Sequence, residues 1–530
     1  MEQQSSHRSV LEPLRQPLFR ALWIASVASN IGTWIQEIGE GWLMTSLTTS
    51  PAIIGLLETS LTLPIFLLSL PAGALADIFD RRRILIVTQL WMLVSAALMS
   101  VLAVTGVMTP WLLLTLTFTL SIGTALNGPA WQALIPELIT REELPSAIAL
   151  GSAGFNVARA IGPAIGGLII AASGVWAAFA LNAISFFGVI IVLYGWKRKH
   201  HESILPTERI VGAMRAGVRY VRHSPPLQAV LVRTVTFIVF ASAMWATLPF
   251  IARHEMNLDS LHYGLLPGSL GIGAVTGAII MTKLRGHIST NGLVQVATIV
   301  FADLLLVLAF VRIFWIVSLA MAIGGIAWMM LMSSLNTSAQ VASPSWVRAR
   351  AMALYILVFF GGFAGGATLW GFLASFVGTP LTLSVAAAGC VAGVFTARRF
   401  SLLSDQPEDL TPSLHWPEPV LAFQPNPDDG PVMVTIEYSI KPEDAWNFSE
   451  AMQRLSIIRK RDGAIQWGLF QDMSDPSRYV ETFIVESWAE HLRQHERITV
   501  ADRDIEEYVH AFHEGSTRPA ISHYMYSGGL

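Results

Sequence analysis

A chain of 530 residues would ordinarily divide into about three or four soluble domains. Here 53% hydrophobic residues, 13% charged residues and a mean hydropathy of +0.53 exclude a chain that is water-soluble throughout, and equally a disordered one. The net charge of −3 hides a division, because residues 1–400 hold 24 Lys and Arg against 15 Asp and Glu, while residues 401–530 hold 10 against 22. An apolar basic body is followed by an acidic, soluble tail.

The polar start, Met1 to Pro17, carries Arg8 and Arg15. The apolar stretch from Leu22 to Leu47 is too long for the core of a cleavable signal peptide. About 20 apolar residues cross a bilayer as a helix. On that basis six spans are expected at 19–47, 52–76, 84–106, 111–137, 145–172 and 175–196. Six more are expected at 227–252, 260–283, 290–311, 314–340, 350–377 and 380–400. One set of intervening loops carries nearly all the Lys and Arg, including Arg81 to Arg83, Arg141, Lys197 to Lys199, Arg209 to Arg222, Arg285 and Arg348. The opposite set carries only Arg253 and Arg312. Cationic loops stay in the cytoplasm, so both termini are expected there.

A shift of 204 residues lays the fifth span on the eleventh. Ala147, Leu150, Gly162, Gly167 and Gly174 then meet Ala351, Leu354, Gly366, Gly371 and Gly378, while Gly73 meets Gly277 and Arg81 meets Arg285. Two six-helix halves related by a parallel repeat describe many secondary transporters, with the substrate near the midplane between them.

After Arg399 the composition changes. Seven prolines between residues 401 and 431 read as an extended linker. Beyond it, strands at 432–440, 464–471, 479–486 and 520–526 alternate with helices at 442–460 and 488–513. The order βαββαβ is that of a ferredoxin-like domain. The expected fold is an all-α polytopic membrane protein, with 12 transmembrane helices in two pseudo-symmetric six-helix bundles, plus a C-terminal α+β ferredoxin-like soluble domain. Its divisions are an N-terminal bundle (1–196), a cytoplasmic central loop (197–226), a C-terminal bundle (227–400), the linker (401–431) and the tail domain (432–527).

Charges inside membrane spans are costly and therefore mark function. Glu37 and Glu40 share a face of the first span, Glu58 enters the second at similar depth, Arg159 lies mid-way along the fifth, and Asp303 lies in the ninth. At about 1.5 Å per residue the three carboxylates sit roughly 7–10 Å from Arg159 along the normal, on its external side. A desolvated carboxylate can load and release a proton near neutral pH. Glu37, Glu40 or Glu58 is thus the expected proton carrier, with Arg159 its partner or an anion-attracting site; the competing reading is a static charge network. Asn30, Gln132 and Asn156, with Trp34, Asn127, Trp131, Asn182, Trp245, Trp328 and Asn336, are candidates for lining a cleft.

Between the second and third spans stands Gly73-Ala-Leu-Ala-Asp77-Ile-Phe-Asp80-Arg81-Arg82-Arg83. This resembles the loop of the major facilitator superfamily, with Gly73, Asp77, Arg81 and Arg82 at matching positions and Ile78 and Asp80 departing from the pattern. The resemblance implies a gating role for this turn on the cytoplasmic side. The run Gly162-Pro163-Ala-Ile-Gly166-Gly167 is similar to the motif of proton-coupled exporters of that superfamily. With Pro129 to Glu137 and Arg141 to Leu144, it looks like the branch holding enterobactin and macrolide exporters.

The tail resembles the dimeric α/β-barrel family, which implies a homodimer formed through it. Its His491 and His495, four apart, have the spacing of zinc ligands, but with no third ligand nearby they read as a solvated helix face. No metal, no cofactor and no catalytic residue is expected. No phosphate-binding loop for ATP occurs, and the basic residues are juxtamembrane rather than a nucleic-acid surface.

The expected function is proton-coupled export of a small molecule (siderophore, antibiotic or drug-like) by alternating access, in the bacterial inner membrane. The partners are then the small-molecule substrate, protons and the lipid bilayer, with no nucleic acid. The alternatives are an importer or uniporter of the same fold, or a membrane-tethered enzyme with a catalytic tail.

Overall fold

The structure, a computed structural model, describes residues 11–140, 142–196, 210–284, 287–402, 409–416, 425–515 and 517–527. Arg8, Arg141, Lys197 to Lys199, Arg209 and Arg285 lie outside these residues, as do the parts 403–408 and 417–424 of the proline-rich segment.

The first six expected positions hold α1 (Pro17–Leu47), α2 (Pro51–Ile78), α3 (Arg81–Thr105), α4 (Pro110–Leu138), α5 (Leu144–Ser173) and α6 (Val175–Gly195). Next comes α7 (Ile210–Arg222), a helix within the segment expected as a central loop. Six more follow: α8 (Pro225–Phe250), α9 (Ser260–Leu284), α10 (Thr290–Phe310), α11 (Phe314–Val341), α12 (Arg348–Val377) and α13 (Thr379–Val394). Their starts are chemically marked. Pro17, Pro51 and Pro110 occupy first helical positions, where the missing N–H costs nothing. The Asp80, Thr109 and Ser289 side chains accept from the first-turn amides of α3, α4 and α10.

Ten of these helices are long and apolar enough to cross a membrane. The other two expected positions hold α1, which carries Glu37 and Glu40 within its length, and α13, an apolar helix of 16 residues. Large apolar side chains point outward along the helices: Phe376 is 82% exposed and Trp315 77%. So much exposed apolar surface is stable only where lipid replaces water.

The chain forms two units. One comprises Met1–Leu205, Leu231–Asn336 and Tyr355–Ser401; the other comprises Pro206–Val230, Thr337–Leu354 and Leu402–Leu530.

In the first unit α1 packs on α5 and α6, α3 on α4 and α6, α2 on α4, α5 on α9, and α10 on α13. Close approach depends on glycine. A Cβ at Gly167 of α5 would lie 2.5 Å from the Ser260 carbonyl of α9, and one at Gly371 of α12 would lie 3.2 Å from the Pro51 carbonyl of α2. These two glycines are partners under the 204-residue shift. So are Gly174 and Gly378, which make the turns after α5 and α12 with φ of +93° and +80°, ψ of 168° and 162°.

The second unit contains the tail. Its strands are β1 (Val432–Ser439), β2 (Gln466–Gln471), β3 (Arg478–Val485) and β4 (Ala520–Met525); its helices are α14 (Ala445–Asp462), α15 (Trp488–Arg497) and α16 (Val500–His510). The sheet is antiparallel with order β2-β3-β1-β4. Alternate residues of β1 (Val432, Val434, Ile436, Tyr438) meet Phe448, Met452 and Leu455 of α14 in one core. The single helix expected over 488–513 is instead two. Thr499 starts the second with a reciprocal cap, accepting from the Asp502 amide while its own amide donates to the Asp502 carboxylate. This capping box, within the β-branched run Ile498-Thr499-Val500, favours a break over continuous helix.

Residues 409–416 of the proline-rich segment lie against the tail. The Ser413 amide donates to the Ile498 carbonyl at 2.9 Å, and the amides of Val500 and Ala501 donate to the carbonyls of Thr411 and Asp409. The helix α7 also belongs here. Arg219 donates to the Glu490 carboxylate at 2.6 Å, Tyr220 Oη donates to the Ala342 carbonyl at 2.9 Å, and the Arg497 guanidinium lies 4.6 Å from the centre of the Trp346 ring. Burial pushes the Tyr220 hydroxyl up to about 12.

Candidate functional site

Among the described residues two chambers of the helical unit stand out. The first, of about 790 Å³, is lined by Asn30, Gln89, Asn127, Trp131, Gln132 and Asn156 among others. Most of its residues come from the early part of α1, the late part of α4 and the early part of α5, the ends that adjoin the basic loops, with Gln89 of α3 and Val189 of α6 beside them. Polar groups are fixed here: Thr88 and Gln89 both donate to Asn127 Oδ1, at 3.1 and 3.3 Å, and Asn156 donates to the Ser152 carbonyl.

A second chamber, of about 510 Å³, is lined by Glu37, Glu40, Glu58 and Arg159, and by Trp34, Trp245, Trp328, Asn336 and Phe363. The two share Thr124 and Phe155 in their linings. The volumes lie in the range that takes a drug-sized molecule. The apolar wall is a connected aromatic cluster in which Trp245 lies 4.5 Å from Trp328 and 5.5 Å from Phe363 between ring centres.

Glu40 is buried and held by a chain across helices. Gln36 donates to Glu40 at 2.7 Å, Asn182 of α6 donates to Gln36 at 2.7 Å, and Ser185 donates to Asn182 at 3.0 Å. Among the described residues the second carboxylate oxygen of Glu40 is buried without a well-formed hydrogen bond, with the buried Thr117 hydroxyl near it. Glu37 and Glu58 are half-buried, and Arg159 and Glu37 lie within electrostatic reach of each other. Nothing in the sequence singles out Gln36, because a glutamine one residue before a glutamate has no signature of its own.

Asp303 stands apart: it is exposed on α10 and lines neither chamber. Asn30, Gln132 and Asn156 are brought together in the first chamber, and the three glutamates with Arg159 in the second. Asn182 touches neither chamber and acts through Gln36.

Pro163 cannot donate to the Arg159 carbonyl one turn earlier. That carbonyl faces Gly271 of α9, where a Cβ would lie 2.7 Å away. The cluster Gly162, Pro163, Gly166 and Gly167 thus lets α5 press against both α1 and α9 beside the arginine. At the basic turn Arg81 donates to the Glu137 carboxylate at 2.8 Å and to the Ala133 carbonyl at 3.0 Å, tying α3 to the end of α4. Arg82 donates to the Leu193 and Tyr194 carbonyls at 2.8 Å each, which neutralises the negative end of α6. Gly73 has open space around it, and the Asp77 side chain lies outside the described residues.

The tail has its own cavity, of about 370 Å³. His491 and His495 line it, together with His415, His510 and His523. The solvated-face reading of the histidine pair is therefore corrected: His491 is 1% exposed. β4 and the returning residues 409–416 cover a helix face that sequence spacing alone leaves open. Burial and the neighbouring histidines hold the His491 imidazole down to about 3 and that of His495 down to about 4.

Beside them Arg459 donates to Glu481 at 3.0 Å and to Glu506 at 2.5 Å, all three buried. Trp467 and Tyr438 also donate to Glu481, and Trp416 to Glu506. Burial alone would raise the Glu506 carboxyl, but Arg459, His415 and Trp416 outweigh it and bring it to about 2.

Comparison with known proteins agrees with this architecture. The chain is 23% identical over 281 residues to the staphyloferrin A transporter of Staphylococcus aureus, covering 53% of this chain and 70% of that one. It is 26% identical over 380 residues to the enterobactin exporter of Shigella boydii, covering 70% and 88%. A transporter of the POT family, solved with a thioalcohol-conjugated peptide, superposes with a TM-score of 0.61 at 13% identity, over 74% of this chain and 99% of that one; this shows a shared fold. The family model described as transmembrane secretion effector matches residues 8–528, tail included, and the chain accordingly belongs to that family of major facilitator superfamily transporters.

Proposed function

We propose that this protein exports a small molecule by alternating access, driven by proton entry, with all twelve helices spanning the inner membrane and both termini in the cytoplasm. The carrying observation is the second chamber, where three carboxylates and Arg159 face an aromatic wall inside an apolar helical body. A site of that kind binds a flat or ring-bearing substrate on the tryptophans while a carboxylate exchanges protons. The paired glycine contacts, Gly167 with α9 and Gly371 with α2, are close-packed seams related by the internal repeat, as two halves rocking against each other require. The wider first chamber, at the basic-loop end, is the vestibule by which substrate enters from the cytoplasm. Arg81, Arg82 and Asp77 form the gate there.

The relatives' names point to siderophores, and siderophore, antibiotic and drug-like molecules are the proposed substrate class. The tail, with the strand order of a ferredoxin-like plan, is proposed to pair two copies.

The test uses inverted membrane vesicles with an acidified lumen and a panel of enterobactin, staphyloferrin A and a macrolide. Accumulation of one of them that collapses when a protonophore is added is the expected result. In Glu37→Gln, Glu40→Gln or Glu58→Gln, at least one variant should lose accumulation against the gradient while keeping exchange of substrate. If all three accumulate substrate with unchanged pH dependence, the proton-carrier role fails. Movement that is down-gradient only, or into intact cells, supports the uniporter or importer reading instead.

A further inference from the structure

We infer that the tail domain carries a second small-molecule site, separate from the transport chambers, that takes a neutral, flat aromatic molecule bearing a hydroxyl group. Such a site belongs to the tail alone and is independent of transport.

The sheet register builds the floor of the site. Val434 of β1 lies opposite Phe483 of β3 on one side and His523 of β4 on the other, so the three side chains share one face in a row. The next inward row is Glu481, Ile436 and Ile521. Helix α15 supplies His491 and His495 from above. Trp416, from the segment folded back onto the domain, stands edge-on to His495 at 4.9 Å between ring centres. Apolar walls, aromatic rings and a few polar groups within 370 Å³ suit roughly two or three fused rings.

His491 is the observation that calls for a ligand. It lines the cavity, is 1% exposed, and among the described residues neither ring nitrogen has a well-formed hydrogen bond, although the Gln494 side chain lies near it. Buried polar groups in folded proteins are nearly always paired. The surrounding rings do not pair it: His523 and His495 lie 4.8 and 5.0 Å away between centres, in edge-to-face geometry.

A neutral imidazole offers one acceptor and one donor. A ligand hydroxyl would donate to the acceptor nitrogen; the donor N–H, on the opposite edge of the ring, needs a separate acceptor, and the nearby Gln494 side chain offers one. Charge selects against an anion at this depth, because the Arg459 guanidinium is already matched by Glu481 and Glu506, and the other cation of the lining, Arg518, is exposed rather than buried. Among the described residues no group of His, Cys, Asp or Glu is arranged to hold a metal ion.

Histidine modification of the full chain in detergent tests this without interference from the transport chambers, since neither has a histidine in its lining. With naphthol as the probe and diethyl pyrocarbonate as the reagent at neutral pH, modification of His491, His495 and His523 should slow, as read by peptide mass spectrometry. His223 and His287 should react at unchanged rates. Naphthalene, lacking the hydroxyl, should protect about tenfold less well, the contribution of one buried hydrogen bond. In His491→Phe the advantage of naphthol over naphthalene at His495 and His523 should vanish. His523→Phe, on a half-buried edge strand, is the second variant and should weaken protection of His491.

Three results would overturn the site. One is no protection in the wild-type chain. Another is equal protection by naphthol and naphthalene. The last is histidines that stay unreactive with and without naphthol, which would mean a cavity closed to ligands.

Discussion

At the residue scale, the tail and the helical body use buried charge differently. Arg459 neutralises two carboxylates and every member of that cluster is hydrogen-bonded. Removing one partner of such a cluster leaves buried charge uncompensated, at a cost of about 3–5 kcal/mol. Arg459→Met is therefore expected to unfold the tail in a melting experiment on the full chain while the helical body keeps its transition. Acid acts on the same domain through two groups of opposite type. His491 and His495 stay neutral when folded, down to about 3 and 4, but take up protons near 6.5 once unfolded. Their stabilisation is complete at neutral pH and is lost as the pH falls from 6.5 toward those folded values. Glu506, held at about 2 against an ordinary 4.5, contributes above 4.5 and loses its contribution as the pH falls from there toward 2. Protection of α14 and β3 against hydrogen exchange, taken relative to the intrinsic rate at each pH, should fall steadily below pH 6.5; protection that is flat between neutral pH and 4.5 would contradict the histidine part. The three membrane glutamates are legible in the sequence because charge in an apolar run stands out. The buried histidines are not, since two histidines at helical spacing look alike on a wet face and a covered one.

At the element scale, boundaries are readable wherever a local signal exists. Proline at a first helical turn, or Asp80, Thr109 and Ser289 as caps, marks a helix start within a few residues. The break between α15 and α16 escapes the sequence reading because its capping box is formed by Thr499 and Asp502 inside a run with continuous helical period. The docking of residues 409–416 escapes it for a different reason, since a proline-rich segment has no periodicity that says what it lies against. The α5 seam is where sequence and packing meet most directly. Gly167→Leu would drive a side chain into the backbone of α9 at Ser260. Expression with retained folding but transport lowered by at least about tenfold is expected, since overpacking typically costs 1–3 kcal/mol. A vesicle assay of that variant at wild-type rate would show that the seam tolerates separation. Helix α7 offers a second test. Arg219→Gln removes the ion pair to Glu490, and hydrogen exchange in residues 215–222 should rise while that in α14 stays level.

At the scale of the whole molecule, the division of charge along the chain carries the most information. An apolar basic body and an acidic tail are both evident from residue counts alone, because each follows from summed transfer free energies rather than from a particular fold. The internal repeat is legible in its glycines, and the matching positive-φ turns at Gly174 and Gly378 give it a backbone basis. What summed composition cannot supply is which side chains from distant spans face one another, and the aromatic wall of Trp245, Trp328 and Phe363 opposite the glutamates is of that kind.

Alternating access itself can be measured without knowing the substrate. Thr124 is exposed and lines both chambers, and Cys390, the single native cysteine, is buried on α13. A Thr124→Cys variant with Cys390→Ala can be exposed to a membrane-impermeant maleimide, from outside in intact cells and from the cytoplasmic face in inverted vesicles. Alternating access predicts labelling from both faces, slowed on each by a bound substrate. Labelling confined to one face, or absent from both, would contradict it.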